Sequence, residues 1–301
     1  MTTPIAHVSD TARWVAMYRA LETERPDAIF RDPYARRLAG PQGDAMLRAI
    51  PKALQFAWPM IVRTAAMDEI ILRVVARDGV DTVLNLAAGL DTRPWRLALP
   101  PSLRWLDVDL PPMLAYKGQQ LGDEQPACTV ESLPADLTDA TARRAAIARA
   151  AAGARCGLGI CEGLLVYLTP AQVSELARDL HAAGAFRYWL IDLGSPRLLR
   201  MLERTWGRTL QAGNAPMRFA PADGTAFFAP LGWREVEFRS TFEESIRLRR
   251  SIRFARFFQA LAALYPCRKR EEMHRMSGIV LLERVAETGV APPRASPVRG
   301  D

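Results

Sequence analysis

Carboxylates recur at the ends of short apolar runs along this 301-residue chain. Val83–Leu86 leads into Ala87-Ala88-Gly89, and Asp109 closes the next such run, about 20 residues beyond Gly89. Asp136-Leu137, Glu162-Gly163 and Asp192 close three more. If the runs are parallel strands, the residues just past them line the crevice where open α/β sheets bind ligands. Small side chains at 87–89 let a ligand lie against the backbone, and the next helix offers unpaired N–H groups. Asp109 suits both hydroxyls of an adenosine ribose. Asp136 suits an adenine amino group, with Leu137 against the ring. Each acid also has a plain structural use. Asp109 can end a strand and cap a helix, Asp136 can cap a helix near Thr138, Glu162 can sit in a salt bridge, and Asp192 can belong to a turn.

The recurrence of negative charge opposes a pyrophosphate ligand. It favours an adenosine that carries a positive group, of which S-adenosylmethionine is the common example. The single glycine agrees, because G-x-G-x-x-G is what a dinucleotide's pyrophosphate requires.

Composition excludes other classes. No apolar run reaches the roughly 20 residues that cross a bilayer, and "MTTPIAHVSD" lacks the basic and apolar regions of a secretory signal. A cytoplasmic protein with no membrane partner is expected. The four cysteines form no C-x-x-C pair and are expected to be reduced; with three histidines, no metal site is expected. The net charge of +7 is carried mainly by arginines spread along the chain, which does not point to nucleic acid.

Elements that could position these residues follow from periodicity. Residues 1–80 read as a helical cover: a helix capped by Ser9 or Asp10, a short helix "DPYARRLAG" stopping at Gly40, and a long helix from Met60 to Gly79. From 81 to 287, strand and helix alternate at βαβ spacing, which predicts a doubly wound, mostly parallel sheet. "GWREVEFRS" and "SGIVLLERV" add a sixth and a seventh strand. A basic helical stretch from Phe242 to Leu264 lies in an insertion at about 242–272, before the last strand. The Pro/Gly-rich residues 288–301 are expected to be a disordered tail.

"NLAAGLDTRPWRL", "LDVDLP", "ADL" and "CEGLLVYL", with the N-terminal "ALETERPDAIFRDPYARRLAG" and "IVRTAAMDEII", resemble the leucine carboxyl methyltransferase family and its bacterial branch of S-adenosylmethionine-dependent O-methyltransferases. The resemblance implies a class I methyltransferase sheet. It implies that Arg63 binds the cofactor's methionine carboxylate, a role an arginine fork suits. It assigns Ala87 and Gly89 to the close approach, Asp109 to the ribose, Asp136 and Leu137 to the adenine, and Glu162-Gly163 to the cofactor's amino end. Arg19 is a weaker match to a second carboxylate contact. Asp91 and Arg93 are expected to fix the turn and the following helix, with Asp91 in reach of the cofactor or of Arg63. Tyr167 is placed at the substrate pocket or in the core. Arg247, Arg250 and Arg253 could grip an acidic small molecule or a carrier protein, or form a solvated basic face. The expected reaction is methyl transfer to a carboxylate or hydroxyl oxygen of a small molecule. A carboxylate needs no general base, so alignment and desolvation would do most of the work.

Overall fold

Thr82–Leu86 lacks the polar–apolar alternation of a half-exposed strand because this strand, β1, is buried at every position. It lies between two parallel neighbours, β2 (Arg104–Asp109) and β4 (Gly157–Cys161). Strands covered on both faces are expected to read as continuous apolar runs. The computed structural model describes residues 10–49, 54, 57–212, 216–251, 255–262 and 264–285. Among them β3 (Thr129–Pro134), β5 (Phe186–Gly194), β6 (Trp233–Ser240) and β7 (Ser277–Arg284) complete a seven-stranded sheet, ordered β3-β2-β1-β4-β5-β7-β6. Strands β1 to β5 pair in parallel, and β7 runs antiparallel between β5 and β6. The order reverses between β1 and β4, which places the switch-point crevice at their carboxyl ends.

Helices cover both faces. On one, α6 (Ala140–Ala151) and α7 (Pro170–Ala182) pack Ile147, Val173 and Leu176 against Leu84, Val108 and Trp189. Asp139 caps α6 with its side chain, and Thr169 and Gln172 form a reciprocal capping box on α7, so both starts are fixed locally. On the other face α3 (Ala57–Arg77) packs Met67, Ile70, Ile71 and Val74 against Val83, Leu158, Ile160 and Leu190. Its residues therefore belong to the sheet's core, and a boundary drawn at residue 80 cuts through one packed unit.

The remaining cover is α1 (Asp10–Thr23) and α2 (Ala35–Ala49), which share a small core with Leu90 and with Met113 of α5 (Pro111–Leu121). The first helical segment of α2 ends at Gly40, as the sequence suggests. Gly40 takes φ 60°, ψ −173°, and a second helical segment resumes at Pro41, whose fixed φ suits a first turn. After β1 comes only the single turn α4 (Arg93–Arg96). Helix α8 (Pro196–Ala212), which the periodicity did not suggest, follows β5. The basic stretch after β6 is not one helix: α9 (Thr241–Arg247) ends before Arg249, at φ 55°, and α10 (Ala255–Ala262) and α11 (Cys267–His274) follow. The proposed cap Ser9, Arg253 and the tail 288–301 lie outside the described residues.

Candidate functional site

Beyond β1 the chain turns through Ala87 (φ 56°) and Gly89 (φ 51°). The left-handed conformation costs alanine about 1–2 kcal/mol, and such strain persists where surroundings enforce it. Here the Ala88 N–H donates to the Val108 carbonyl (3.1 Å) and the Gly89 N–H donates to Asp109 Oδ2 (2.7 Å). The other Asp109 oxygen accepts the Leu110 N–H at 2.7 Å. No cation pairs with Asp109 among the described residues. Burial pushes its carboxyl above the usual range, against the pull of those two N–H groups. The close approach at Gly89 is to α1: a Cβ there would lie 3.3 Å from that of Ala12.

The other strand ends are wired differently. Glu162, after β4, accepts from Arg63 Nε at 3.0 Å and pairs with Arg93 Nη1 at 2.7 Å. Asp192, near the end of β5, takes Arg63 Nη1 at 3.1 Å and the Gly163 N–H at 2.6 Å. Arg63 thus reaches from α3 across two strand ends. Burial opposes its charge, and Asp192 and Glu162 outweigh that, so its pKa rises. Gly163 (φ 67°) makes room for it, since a Cβ there would stand 3.2 Å from Arg63 Nη1. Arg63 Nη2 takes part in none of these bonds. Tyr167 lies in the turn Leu165–Tyr167 after β4, bonded to the Thr11 side chain, with its phenol pushed up by burial.

Arg93 is 1% exposed and joins what the sequence left separate. Its Nε donates to Asp68 at 2.7 Å and its Nη1 meets both Asp91 and Glu162 at 2.7 Å. Asp91 is therefore turned to Arg93, not to Arg63, and also accepts from Asn85, which reaches buried Asp107 on β2; Lys117 neutralises Asp107. Arg96 completes the set on Asp68. Burial works against the charge on Asp91 and Glu162, and the arginines overcome it, leaving both carboxyls below their usual range. The "DTR" of 91–93 carried the signal for this network, but its partner Asp68 on α3 has no fixed sequence spacing from it.

The other residues singled out in the sequence have these partners within the protein. Asp136 is exposed and forms a turn with Thr138 (2.8 Å to N, 2.7 Å to Oγ1), while Asp139, not Asp136, caps α6; Leu137 packs at the edge of the core. Arg19 is committed to Asp32 and the Leu90 carbonyl. Arg250, expected at a substrate, is buried against Glu22 at 2.8 Å and also pairs with Asp27. Arg247 pairs with Glu69 of α3 and with Glu244. Helix α9 packs on α3, which brings Arg247 to Glu69, a carboxylate that Arg239 of β6 also pairs with. Among the described residues, no His/Cys/Asp/Glu cluster could hold a metal. No helix there is long and apolar enough to cross a membrane.

The donor set fits S-adenosylmethionine. At the crevice Asp68, Asp91, Asp107, Asp109, Glu162 and Asp192 outnumber Arg63, Arg93, Arg96 and Lys117, so the field favours a cationic ligand. Asp109, paired with no cation among the described residues, can accept hydroxyl donors. Arg63 Nη2 can take a carboxylate while Glu162, held beside it, faces an ammonium group.

Comparison with known proteins agrees. Residues 12–181 match the family model described as leucine carboxyl methyltransferase. A candidate S-adenosyl-L-methionine-dependent methyltransferase of Frankia alni is 32% identical over 246 residues, 76% of this chain and 83% of that protein. One from Streptomyces coelicolor is 36% identical over 241 residues, covering 74% and 82%. The crystal structure of a DUF574 family protein from Streptomyces avermitilis superposes with a TM-score of 0.60 at 16% identity, over 94% of this chain and 98% of that one. A candidate methyltransferase from Thermobifida fusca gives 0.58 at 16%, over 94% and 96%.

Proposed function

The chain belongs to the leucine carboxyl methyltransferase family and is an S-adenosylmethionine-dependent methyltransferase; from that premise we propose that it methylates an oxygen, the carboxylate of a small acidic molecule. When bound, S-adenosylmethionine supplies an electrophilic methyl group on a sulfonium. Arg63 is assigned its carboxylate, Glu162 its ammonium and Asp109 its ribose, with Ala87, Gly89 and Gly163 as the backbone that shapes the crevice. Asp136 and Leu137 are assigned the adenine edge, and Tyr167 borders the acceptor side.

The observation that carries the choice of acceptor is the engagement of Glu162 and Asp192 by arginines. Arg93 and Arg63 hold the Glu162 carboxyl below its usual range, which makes it a poor proton acceptor, and Asp192 is engaged by Arg63 and the Gly163 N–H. Of the described histidines, His181 bonds the Val285 carbonyl at the opposite end of the sheet. His274 pairs with Glu243 and stacks on Phe238 of β6. Strand β6 lies three strands from β4, roughly 14 Å at the usual strand spacing. A hydroxyl acceptor needs its proton removed; a carboxylate arrives without one.

The test is to incubate the protein with methyl-labelled S-adenosylmethionine and a panel of small carboxylic acids, phenols and alcohols. Label that is released as methanol by mild alkali supports an ester. Transfer only to phenols or alcohols, giving alkali-stable ethers, refutes the carboxylate reading.

A further inference from the structure

We propose that Arg93 is a positioning residue, which by sharing one nitrogen between Asp91 and Glu162 keeps Glu162 charged and aimed at the cofactor's ammonium group. This rests on Glu162 as an ammonium contact and is independent of the acceptor's chemistry. Asp91 and Glu162 each stand 2.7 Å from Arg93 Nη1, so their nearest oxygens cannot be farther apart than two such contacts. Two carboxylates that close, in a site shielded from water, do not both stay ionised unless a cation stands between them. Arg93 is fixed in that place: its Nε is tied to Asp68, and the Asp91 carboxylate also accepts the Arg93 backbone N–H at 2.9 Å.

The other groups around Glu162 cannot substitute. Arg63 of α3 touches the far oxygen of Glu162 and divides its charge with Asp192 of β5. Asp68 of α3 adds negative charge and is met from its other side by Arg96. Lys117 of α5 acts on Asp91 through space but is bonded to Asp107. Tyr167, at the exit of β4, is a neutral phenol raised by burial. Without Arg93, Glu162 would keep only Arg63, which it shares with Asp192, and would face an Asp91 whose remaining cations, Lys117 and Arg96, act from a distance. A Glu162 protonated for want of that charge cannot pair with an ammonium.

The experiment measures the affinity of S-adenosylhomocysteine by calorimetry between pH 6 and 8, for wild type, Arg93→Lys, Arg93→Gln and Arg93→Gln/Glu162→Gln. Wild type is expected to be flat, as Glu162 stays ionised throughout. Arg93→Gln is expected to lose affinity as pH falls, by up to about tenfold per pH unit below the new Glu162 pKa. Arg93→Lys restores a flatter profile, and Glu162→Gln in the Arg93→Gln background removes the pH dependence. A uniform loss at every pH in Arg93→Gln means a merely structural role and overturns the proposal, as does pH dependence that survives Glu162→Gln. If Arg93→Gln does not hold its fold, the charge-balanced Asp91→Asn/Arg93→Gln variant takes its place. It is expected to show a smaller pH dependence of the same sign, and a profile as flat as wild type refutes the idea.

Discussion

Replacing Gly163 by alanine separates the site's geometry from general backbone strain. Gly163 has φ 67°, and a Cβ there would stand 3.2 Å from Arg63 Nη1 and 3.5 Å from Nη2. Gly184 has a similar φ of 73° and nothing within 4 Å of the same atom. Both alanines carry the left-handed penalty of about 1–2 kcal/mol. At about 2–4 °C per kcal/mol, both should melt a few degrees lower. Only Gly163→Ala also pushes the guanidinium that spans Glu162 and Asp192. A charge-assisted hydrogen bond is worth about 1.5–3 kcal/mol. Losing half of one, about 0.75–1.5 kcal/mol, weakens S-adenosylhomocysteine binding by roughly four- to thirteenfold. Calorimetry on both variants reads the difference, with Gly184→Ala expected to bind as wild type does. If Gly163→Ala binds as tightly as Gly184→Ala, Arg63 does not hold the cofactor.

Asp109→Ala removes a carboxylate that no cation neutralises, so S-adenosylhomocysteine affinity should fall at least about tenfold by calorimetry; unchanged affinity would remove Asp109 from the site. Arg250→Met leaves Glu22, fully buried, with no cation in contact but Arg25 at 3.8 Å, and should destabilise the fold by about 3–5 kcal/mol in thermal or urea unfolding. Asp32, Asp91 and Glu162 have carboxyls below their usual range. Their stabilisation is complete above the unfolded values near 4 and is lost as pH falls through the folded ones. The melting temperature should therefore hold from pH 8 to about 5 and drop below about pH 4, and an acid-insensitive melt would contradict the ion pairs.

Much of this arrangement was legible in the sequence, and for identifiable reasons. Strand ends are marked by a change from apolar to small or acidic residues, so Gly89, Asp109, Glu162 and Asp192 could be placed at one edge before any coordinates. The sheet's parallel half follows from repeat length. What the sequence did not reveal were choices among partners. Arginines are plentiful here, and nothing local distinguishes Arg63, which crosses two strand ends, from Arg250, which is buried on Glu22. Asp136 illustrates the same limit: its spacing from β3 suits a ligand, while its own neighbour Thr138 supplies the donors it uses in this structure. The break at Arg249 was hidden because the flanking residues keep helical periodicity through a left-handed turn.

The same partner choices explain why the N-terminal helices cannot be treated as an appendage. Arg19 of α1 holds the Leu90 carbonyl, Asp32 accepts from Thr92, and Thr11 bonds Tyr167. Each contact grips a residue just past β1 or β4, within a few positions of Gly89 or Glu162. Ala12 rests on Gly89 itself, and Glu22, one turn beyond Arg19, is clamped by Arg250 from the segment after β6. The cover is therefore anchored at the crevice and again at the insertion. Because Ala12 of α1 rests on the turn at Gly89, where the cofactor is proposed to bind, ordering of α1 and cofactor binding are expected to be thermodynamically linked. Weakening the anchor with Asp32→Ala should then loosen S-adenosylhomocysteine binding without touching any residue assigned to the cofactor. Hydrogen exchange in α1 should slow when that ligand is added to the wild type. Exchange in α1 that ignores the ligand would show the cover to be a passive cap.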